Sequence, residues 1–190
     1  MFRAQDTPLN IQIVFENVFS SFWTSGTLKP NHFVVFLPVR WFSAVSLYLK
    51  KDMYFSQSFL VEHSVIDSKH YWFDDNLLQG HKFKKNFFLF YTFYFLFLKL
   101  KLTFFLIPEE QNYSYSIDSI YNNANWLERE SSEMYGVYFY FKKDTRKLLL
   151  DYSKKDSPMC KDFPTEGVND FFYNFFESQV SFTETEVVEL

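Results

Sequence analysis

Apolar residues recur along this chain with two spacings, and the switches between them mark out the elements. From Pro8 to Trp23 they fall at Ile11, Val14, Phe15, Val18, Phe19 and Phe22. That three-and-four spacing lays one apolar stripe on a helix. Ser25-Gly26 reads as its break. His32–Leu37 is a short apolar run ended by Pro38, which predicts a strand. Val39–Lys50 carries Trp41, Phe42, Val45, Leu47 and Leu49 and closes on Lys50-Lys51, cations where a helix C-terminus favours them. A helix is predicted there. Tyr54–Ile66 alternates loosely and predicts a second strand, giving the order helix–strand–helix–strand. Asp67–Lys85 is polar and predicts a solvated loop.

Asn86–Pro108 (NFFLFYTFYFLFLKLKLTFFLIP) resembles a membrane span in composition only. Its apolar run from Phe87 to Leu98 falls well short of the ~20 residues a spanning helix needs. Extending it takes in Lys99 and Lys101, each costing about 2.5–3.5 kcal/mol at a helix centre. Lys99, Lys101 and Thr103 share one parity, and Leu98, Leu100, Leu102 and Phe104 share the other. Period two means a half-buried strand. The pattern predicts a long β-hairpin turning near Phe97–Lys99, although no Gly, Asn or Pro marks the turn.

Pro108–Ser119 reads as polar linker. Ile120–Tyr135 predicts a helix, with Trp126, Glu130 and Met134 on one face. Gly136 stops it, because glycine takes the left-handed conformation at a helix C-terminus without strain. Arg129 and Glu133 lie four apart and can pair along the helix. Val137–Phe141 predicts a short strand, and Phe163–Gly167 a turn. Phe171–Val188 alternates like a strand and is apolar and acidic. It has little to pack on in a small domain, so a partner surface is its expected destination. One domain over residues 1–168 with a C-terminal extension over 169–190 is the organisation predicted.

Composition narrows the function classes. At 190 residues and 23.0 kDa the chain is long enough to bury a sizeable core. A formal net charge of −4 argues against nucleic acid as a partner. The single cysteine, Cys160, excludes an internal disulfide and a cysteine-based metal site. The 27 phenylalanines are expected to reflect AT-rich codon usage. The N-terminus shows no targeting presequence, so mitochondrial encoding is expected if the protein works there.

The candidate chemistry centres on Glu128, Glu130 and Glu133. A di-iron helix would place a His three residues after a Glu, and none follows. General acid–base work needs a partner group and a pocket, which nothing nearby supplies. Ion pairing with Arg129, Arg146, Lys147 or a neighbouring subunit's arginines is the expected role. His63, His70 and His81 lack metal-ligand spacing. Cys160 has no flanking His and is expected to be inert. The basic run from Lys142 to Lys155 is interleaved with Asp144 and Asp151, which suits a solvated or interface face. The glycines stand alone and form no phosphate loop.

The spacing Glu128-Arg129-Glu130, Glu133, Met134-Tyr135, Lys142, Arg146, Leu148-Leu149 is specific, and so are its flanks. Ala124-Asn125-Trp126 precede it; Gly136, Asp151-Tyr152, Pro158, Lys161-Asp162-Phe163-Pro164 and Gly167 accompany or follow it. On these residues the chain resembles the thirty-kilodalton, NuoC-like subunit of respiratory NADH:ubiquinone oxidoreductase, complex I. It departs from that family's usual residues at Lys142-Lys143 (His-Pro), Asp156-Ser157 (Gly-His) and Cys160 (Arg). The resemblance implies an α/β fold of the α+β type, with a mixed β-sheet flanked by helices. It implies a structural and assembly subunit of the peripheral, matrix-side arm at the mitochondrial inner membrane. The expected partners are peripheral-arm subunits, chiefly the large, NuoD-like quinone-site subunit. NADH, FMN, iron–sulfur clusters and ubiquinone would sit in other subunits, with no catalytic, cofactor or metal residue here. The implied interface comprises Trp126, Glu128, Arg129, Glu130, Glu133, Gly136, Arg146, Asp151, Tyr152, Lys161, Asp162, Phe163 and Pro164. Two rivals stand beside this reading: a membrane-anchored accessory protein held by Phe87–Leu106, and a hydrolase using Glu128, Glu130 or Glu133.

Overall fold

The computed structural model describes residues 23–29, 31–53, 55–69, 87–107, 112–153 and 156–185. Its frame is a five-stranded mixed sheet built from β1 (Trp23–Lys29), β2 (His32–Pro38), β3 (Ser58–Asp67), β4 (Phe87–Phe95) and β5 (Leu100–Ile107). The spatial order is β1-β2-β5-β4-β3. Only β2 and β5 run parallel; the other neighbours are antiparallel. Helix α1 (Val39–Lys51) follows β2 directly, and helix α2 (Ala124–Tyr135) follows β5 after a short strand, β6 (Tyr113–Tyr115). Strand β6 pairs in parallel with β7 (Tyr138–Tyr140). A C-terminal hairpin, β8 (Asn169–Asn174) and β9 (Gln179–Glu184), pairs with itself.

The phenylalanine-rich run is the middle of this sheet. Strands β4 and β5 pair from Leu89↔Leu106 to Phe95↔Leu100, so the alternation is read out as faces. Leu89, Tyr91, Phe93 and Phe95 on β4, with Leu100, Leu102, Phe104 and Leu106 on β5, are all buried. Lys99 and Lys101 face solvent. The turn over 96–99 closes without glycine because Lys99 itself takes φ 48°, a left-handed position costing an L-residue roughly 1–2 kcal/mol. Two paired strands stand where the rival reading placed a membrane anchor over Phe87–Leu106. Among the described residues no helix is long and apolar enough to cross a membrane.

Both helices pack on one face of the sheet. Phe42 of α1 meets Tyr91 at 4.4 Å and Phe104 at 6.1 Å between ring centroids. Tyr121, just before α2, meets Phe93 at 5.1 Å and shares a 2.6 Å hydrogen bond with Ser58. Helix α1 buries Val39, Phe42, Val45 and Leu49 as one stripe, with Lys50 and Lys51 in its last turn. Trp41 and Leu47, also read as part of its apolar set, are nearly half exposed.

The predicted strands at 32–37 and 54–66, the helix at 39–50, the hairpin and the strand at 137–141 all appear, within a few residues. Other expectations change. Ser25-Gly26 lies inside strand β1 rather than in a break. Pro108–Ser119 contains β6, whose Ser114 is fully buried, so a stretch read as linker is partly structural. Helix α2 starts at Ala124, after turns in which Ile120 and Tyr121 donate to the Ile117 carbonyl. The helix predicted over Pro8–Trp23 lies outside the described residues except at Trp23, which opens strand β1 instead, and the loop at 67–85 lies outside them from His70 onward.

Phe93→Ala is expected to cost about 3–5 kcal/mol, the range for emptying a large buried aromatic site. Phe97→Ser, on the exposed turn, should stay within about 0.5 kcal/mol of the parent. Denaturant midpoints of the two variants check both.

Candidate functional site: an internal charge clamp

Helix α2 puts acids and a base where they meet the chain that follows it. Glu128 is completely buried. Its Oε1 accepts from the Ile117 backbone N–H at 2.9 Å and lies 3.4 Å from the Tyr91 hydroxyl; its Oε2 accepts from Ser116 Oγ at 2.6 Å. Lys142 Nζ completes the shell at 3.1 Å, itself almost fully enclosed. Burial pushes the Glu128 carboxyl above its ordinary range; the Ile117 N–H, the Ser116 hydroxyl and the Lys142 charge pull it back only in part. Each partner is needed because an isolated carboxylate in such a place would take up a proton.

Arg129 points at the loop beyond β7. Its Nε donates to the Arg146 carbonyl at 2.9 Å, Nη2 to the Lys147 carbonyl at 3.1 Å, and Nη1 to Asp144 Oδ2 at 3.3 Å. Its guanidinium lies 5.3 Å from the Trp126 ring centroid. Asp144 also binds Arg146 through two side-chain hydrogen bonds, at 2.8 and 3.0 Å. These bonds, with that from the Arg146 N–H, hold the Asp144 carboxyl far below the usual carboxylate range.

Glu133 closes the clamp. Its carboxylate accepts three successive backbone N–H groups, from Leu148 at 2.8 Å, Leu149 at 2.9 Å and Leu150 at 2.5 Å. Burial raises its pKa, but the N–H groups of Leu149, Leu148 and Leu150 and the Lys147 charge outweigh that and leave it lowered. Arg129 and Glu133 therefore do not pair with each other as their spacing suggested; each binds backbone of the same loop. Gly136 ends α2 at φ 69°. A Cβ there would come within 2.8 Å of Ser157 Oγ, so the glycine serves both the left-handed stop and a close approach.

The remaining signature residues divide in two. Lys161 N–H donates to Asp67 Oδ2 at 2.9 Å, and Lys161 Nζ to the Lys69 carbonyl at 2.6 Å. Asp162 forms an ion pair with Lys69. That turn is thus tied to the end of β3; Phe163 donates back to Cys160, and Gly167 to Pro164. Trp126, Glu130, Arg146, Asp151, Tyr152 and Pro164 are exposed. The inward face of α2 is Ala124, Glu128, Arg129 and Ser131, and Trp126 and Glu130, on the shared face read from the sequence, are exposed. A cleft of about 340 Å³ lies between α2 and the loop, lined by Arg129, Glu133, Lys142, Arg146, Lys147 and others. Its charged groups are largely engaged in the bonds just described. Among the described residues no group of three metal-binding side chains occurs.

Sequence reasoning missed Tyr91, Ser116, Asp144 and His63 as members of this cluster. His63 is buried beside it, stacked on Tyr91 at 3.9 Å and bonded through Nδ1 to the Phe90 carbonyl at 3.0 Å. Burial pushes its pKa down to about 3, and the nearby Lys142 charge adds to the fall against the Phe90 bond. Only Asp144 left a signal, as an acid two residues before Arg146.

The fold and the clamp define an α+β protein, a mixed sheet whose second helix is held to the following loop by its own charges. The chain belongs to the family described as respiratory-chain NADH dehydrogenase, 30 Kd subunit, whose profile matches residues 37–169. It is similar to NADH-ubiquinone oxidoreductase subunit 9 of Paramecium primaurelia, 38% identical over 96% of this chain and 87% of that protein. The corresponding Paramecium tetraurelia protein is 36% identical over the same shares. A bacterial NADH-quinone oxidoreductase subunit, from Cereibacter sphaeroides, is 38% identical over 39% of this chain and 37% of its own. Mitochondrial proteins are among the relatives, including one of Candida albicans. In fold, the chain is similar to one in the structure of the membrane-bound sulfane sulfur reductase, an archaeal respiratory membrane complex. The TM-score is 0.63 at 15% identity, over 83% of this chain and 85% of that one.

Glu128→Gln leaves Lys142 buried without its counter-charge and is expected to cost about 3–5 kcal/mol. Combining it with Lys142→Met should recover much of that loss, a coupling readable in a double-mutant cycle of denaturant unfolding. Acidification is a second lever on the cluster. The unfolded His63 imidazole takes up a proton near pH 6.5, the folded one only near pH 3. Between these values the unfolded chain binds more protons, so this residue costs the fold up to ~1.4 kcal/mol per pH unit. Glu128, whose carboxyl is raised, acts in the opposite sense, and the lowered Glu133 loses its contribution only below the ordinary carboxylate range. His63→Gln, neutral throughout, should therefore flatten the fall in stability between pH 6.5 and 4.5, measured as urea midpoints at each pH.

Proposed function

We propose that this chain is a non-catalytic, structural subunit of the peripheral, matrix-side arm of complex I. Its chief neighbour in this reading is the large, NuoD-like quinone-site subunit, and its C-terminal extension rests on partner subunits. It supports electron transfer from NADH to ubiquinone by holding its neighbours in place, and it carries no redox centre of its own. The supporting observation is the destination of the signature charges. Glu128, Arg129 and Glu133 are committed to Lys142, Asp144 and backbone groups of the same chain. Charges so engaged fix a shape; they are not poised to transfer protons. A single cysteine is too few for the cysteine set of an ordinary iron–sulfur cluster. Outside the clamp, Trp126, Tyr138, Phe141 and Tyr152 are all more than half exposed. Exposed aromatic groups beside a rigid frame suit a subunit interface.

Arg129→Ala tests this. The loop from Asp144 to Lys147 loses its anchor, so the amount of assembled complex on native gels should fall while turnover per assembled complex stays at the parent value. Glu130→Ala, which removes an exposed charge of the implied interface, should act in the same way. Parent levels of assembled complex with lowered turnover would overturn the reading. Cross-linking within the intact complex identifies the neighbour, and recovery of only other subunits would remove the quinone-site assignment.

A further inference from the structure

The C-terminal hairpin carries an extensive exposed aromatic surface, and the hairpin register sorts it by face. Phe171 stands opposite Phe182, and Tyr173 opposite Val180. Directly opposed residues share a face, so these four side chains form one apolar patch. The Phe171 and Phe182 rings lie 6.2 Å apart. The other face carries Asp170 with Thr183, Phe172 with Ser181, and Asn174 with Gln179. The hairpin is amphipathic and largely exposed on both faces; on the apolar one Phe171 is 60% exposed, Phe182 70%, Val180 63% and Tyr173 50%. At the tip, Phe175 is 83% exposed and Phe176 fully so. A lone two-stranded hairpin is marginally stable in water, and a contiguous aromatic patch of this kind marks a binding surface.

Charge decides what binds there. From Asp162 onward the chain carries Glu166, Asp170, Glu177, Glu184, Glu186 and Glu189, and after Lys161 it has no Lys, Arg or His. An anionic bilayer surface would repel such a segment. A second copy would set the same acids against each other. A protein groove with an apolar floor and a basic rim matches both the rings and the charges.

We infer that the β8–β9 hairpin is a docking finger whose Phe171–Tyr173–Val180–Phe182 face and Phe175–Phe176 tip seat in an apolar groove of a sister subunit rimmed by Lys and Arg. This rests on the reading of the chain as a structural subunit and adds the chemistry of the surface that receives it. The acids steer the hairpin to the groove and fix its register, and the rings supply the affinity.

The test places the photo-cross-linker p-benzoylphenylalanine in the full-length chain at position 171, 175 or 183, and reads the cross-linked peptides from the intact complex by mass spectrometry. Positions 171 and 175 should cross-link to one sister subunit, at peptides carrying more Lys and Arg than Asp and Glu; position 183, on the polar face, should not. The yield from position 175 should fall several-fold in Glu177→Lys/Glu184→Lys and be lost in Phe171→Ser/Phe182→Ser. Both sites of the second variant are exposed, so the isolated chain should melt at the parent temperature. A lowered melting temperature would mean that the face packs on its own chain, and would overturn the inference. So would cross-links to lipid, to a second copy or to an acidic surface, or equal yields from 171 and 183. If the chain were absent from every large respiratory assembly, the structural-subunit reading would fall and this inference with it. If it is present but the 171 cross-links go elsewhere, only the inference falls.

Discussion

A carboxylate buried beneath a helix and against an aromatic sheet has to be answered from every side, and Glu128 sets that requirement for this protein. Its oxygens take a backbone N–H from Ile117, a hydroxyl from Ser116 and the ammonium of Lys142, beside the Tyr91 ring at the centre of β4. With Glu128 itself, these groups come from four parts of the chain: the middle of the sheet, the stretch after β6, helix α2 and the chain after β7. Satisfying one charge therefore fixes how the helix, the small β6–β7 sheet and the main sheet sit relative to each other. Dispersion and the hydrophobic effect fill the core but are non-directional; the ionic contacts supply direction, and a slip of α2 by one residue would leave a charge stranded.

The rest of the clamp extends that constraint outward. Arg129 and Glu133 grip the loop from Asp144 to Leu150 chiefly through backbone groups, Arg129 by carbonyls and Glu133 by N–H groups. Gripping the backbone holds still a segment without regular secondary structure and leaves its side chains to face elsewhere. The turn at Lys161-Asp162 is tied to Asp67 and Lys69 in the same manner, so the chain from α2 to residue 162 is fastened at both ends. Other aromatic side chains stand exposed outside this frame: Trp126, Tyr138, Phe141, Tyr152 and the hairpin rings.

Much of the fold was legible before any coordinates. The hairpin at 87–107 followed from the parity of its lysines, the strand at 32–38 from an apolar run ended by Pro38, and the strand at 58–67 from a loose alternation over 54–66. The stop at Gly136 followed from glycine's freedom to adopt positive φ. What escaped had a physical cause in each case. Strand β1 contains Gly26, whose local signal is a break, and pairing with β2 overrides it. Strand β6 has only three residues, too few for a period to show, and exists because β7 lies beside it. The C-terminal stretch read as one alternating tail is two strands, because the turn at 175–178 places Ser178 at φ 52° without glycine to announce it.

For the site, the sequence by itself determined the family, since that information lies in residue type and spacing along one dimension. It also marked Glu128, Arg129 and Glu133 as charges in need of partners, with Arg129, Arg146 and Lys147 the expected partners of the acids; Glu128 took Lys142 instead and Glu133 took backbone N–H groups. Only the tertiary structure decided with whom. Glu128 lies 37 residues from Tyr91 and 14 from Lys142, and separations of that size are set by how the sheet closes, not by helical period. The four-residue spacing of Arg129 and Glu133 allowed a pair within the helix. Folding brought a loop with unsatisfied backbone groups alongside, and a carboxylate accepting three aligned N–H groups is held more strongly than an exposed pair on a helix surface.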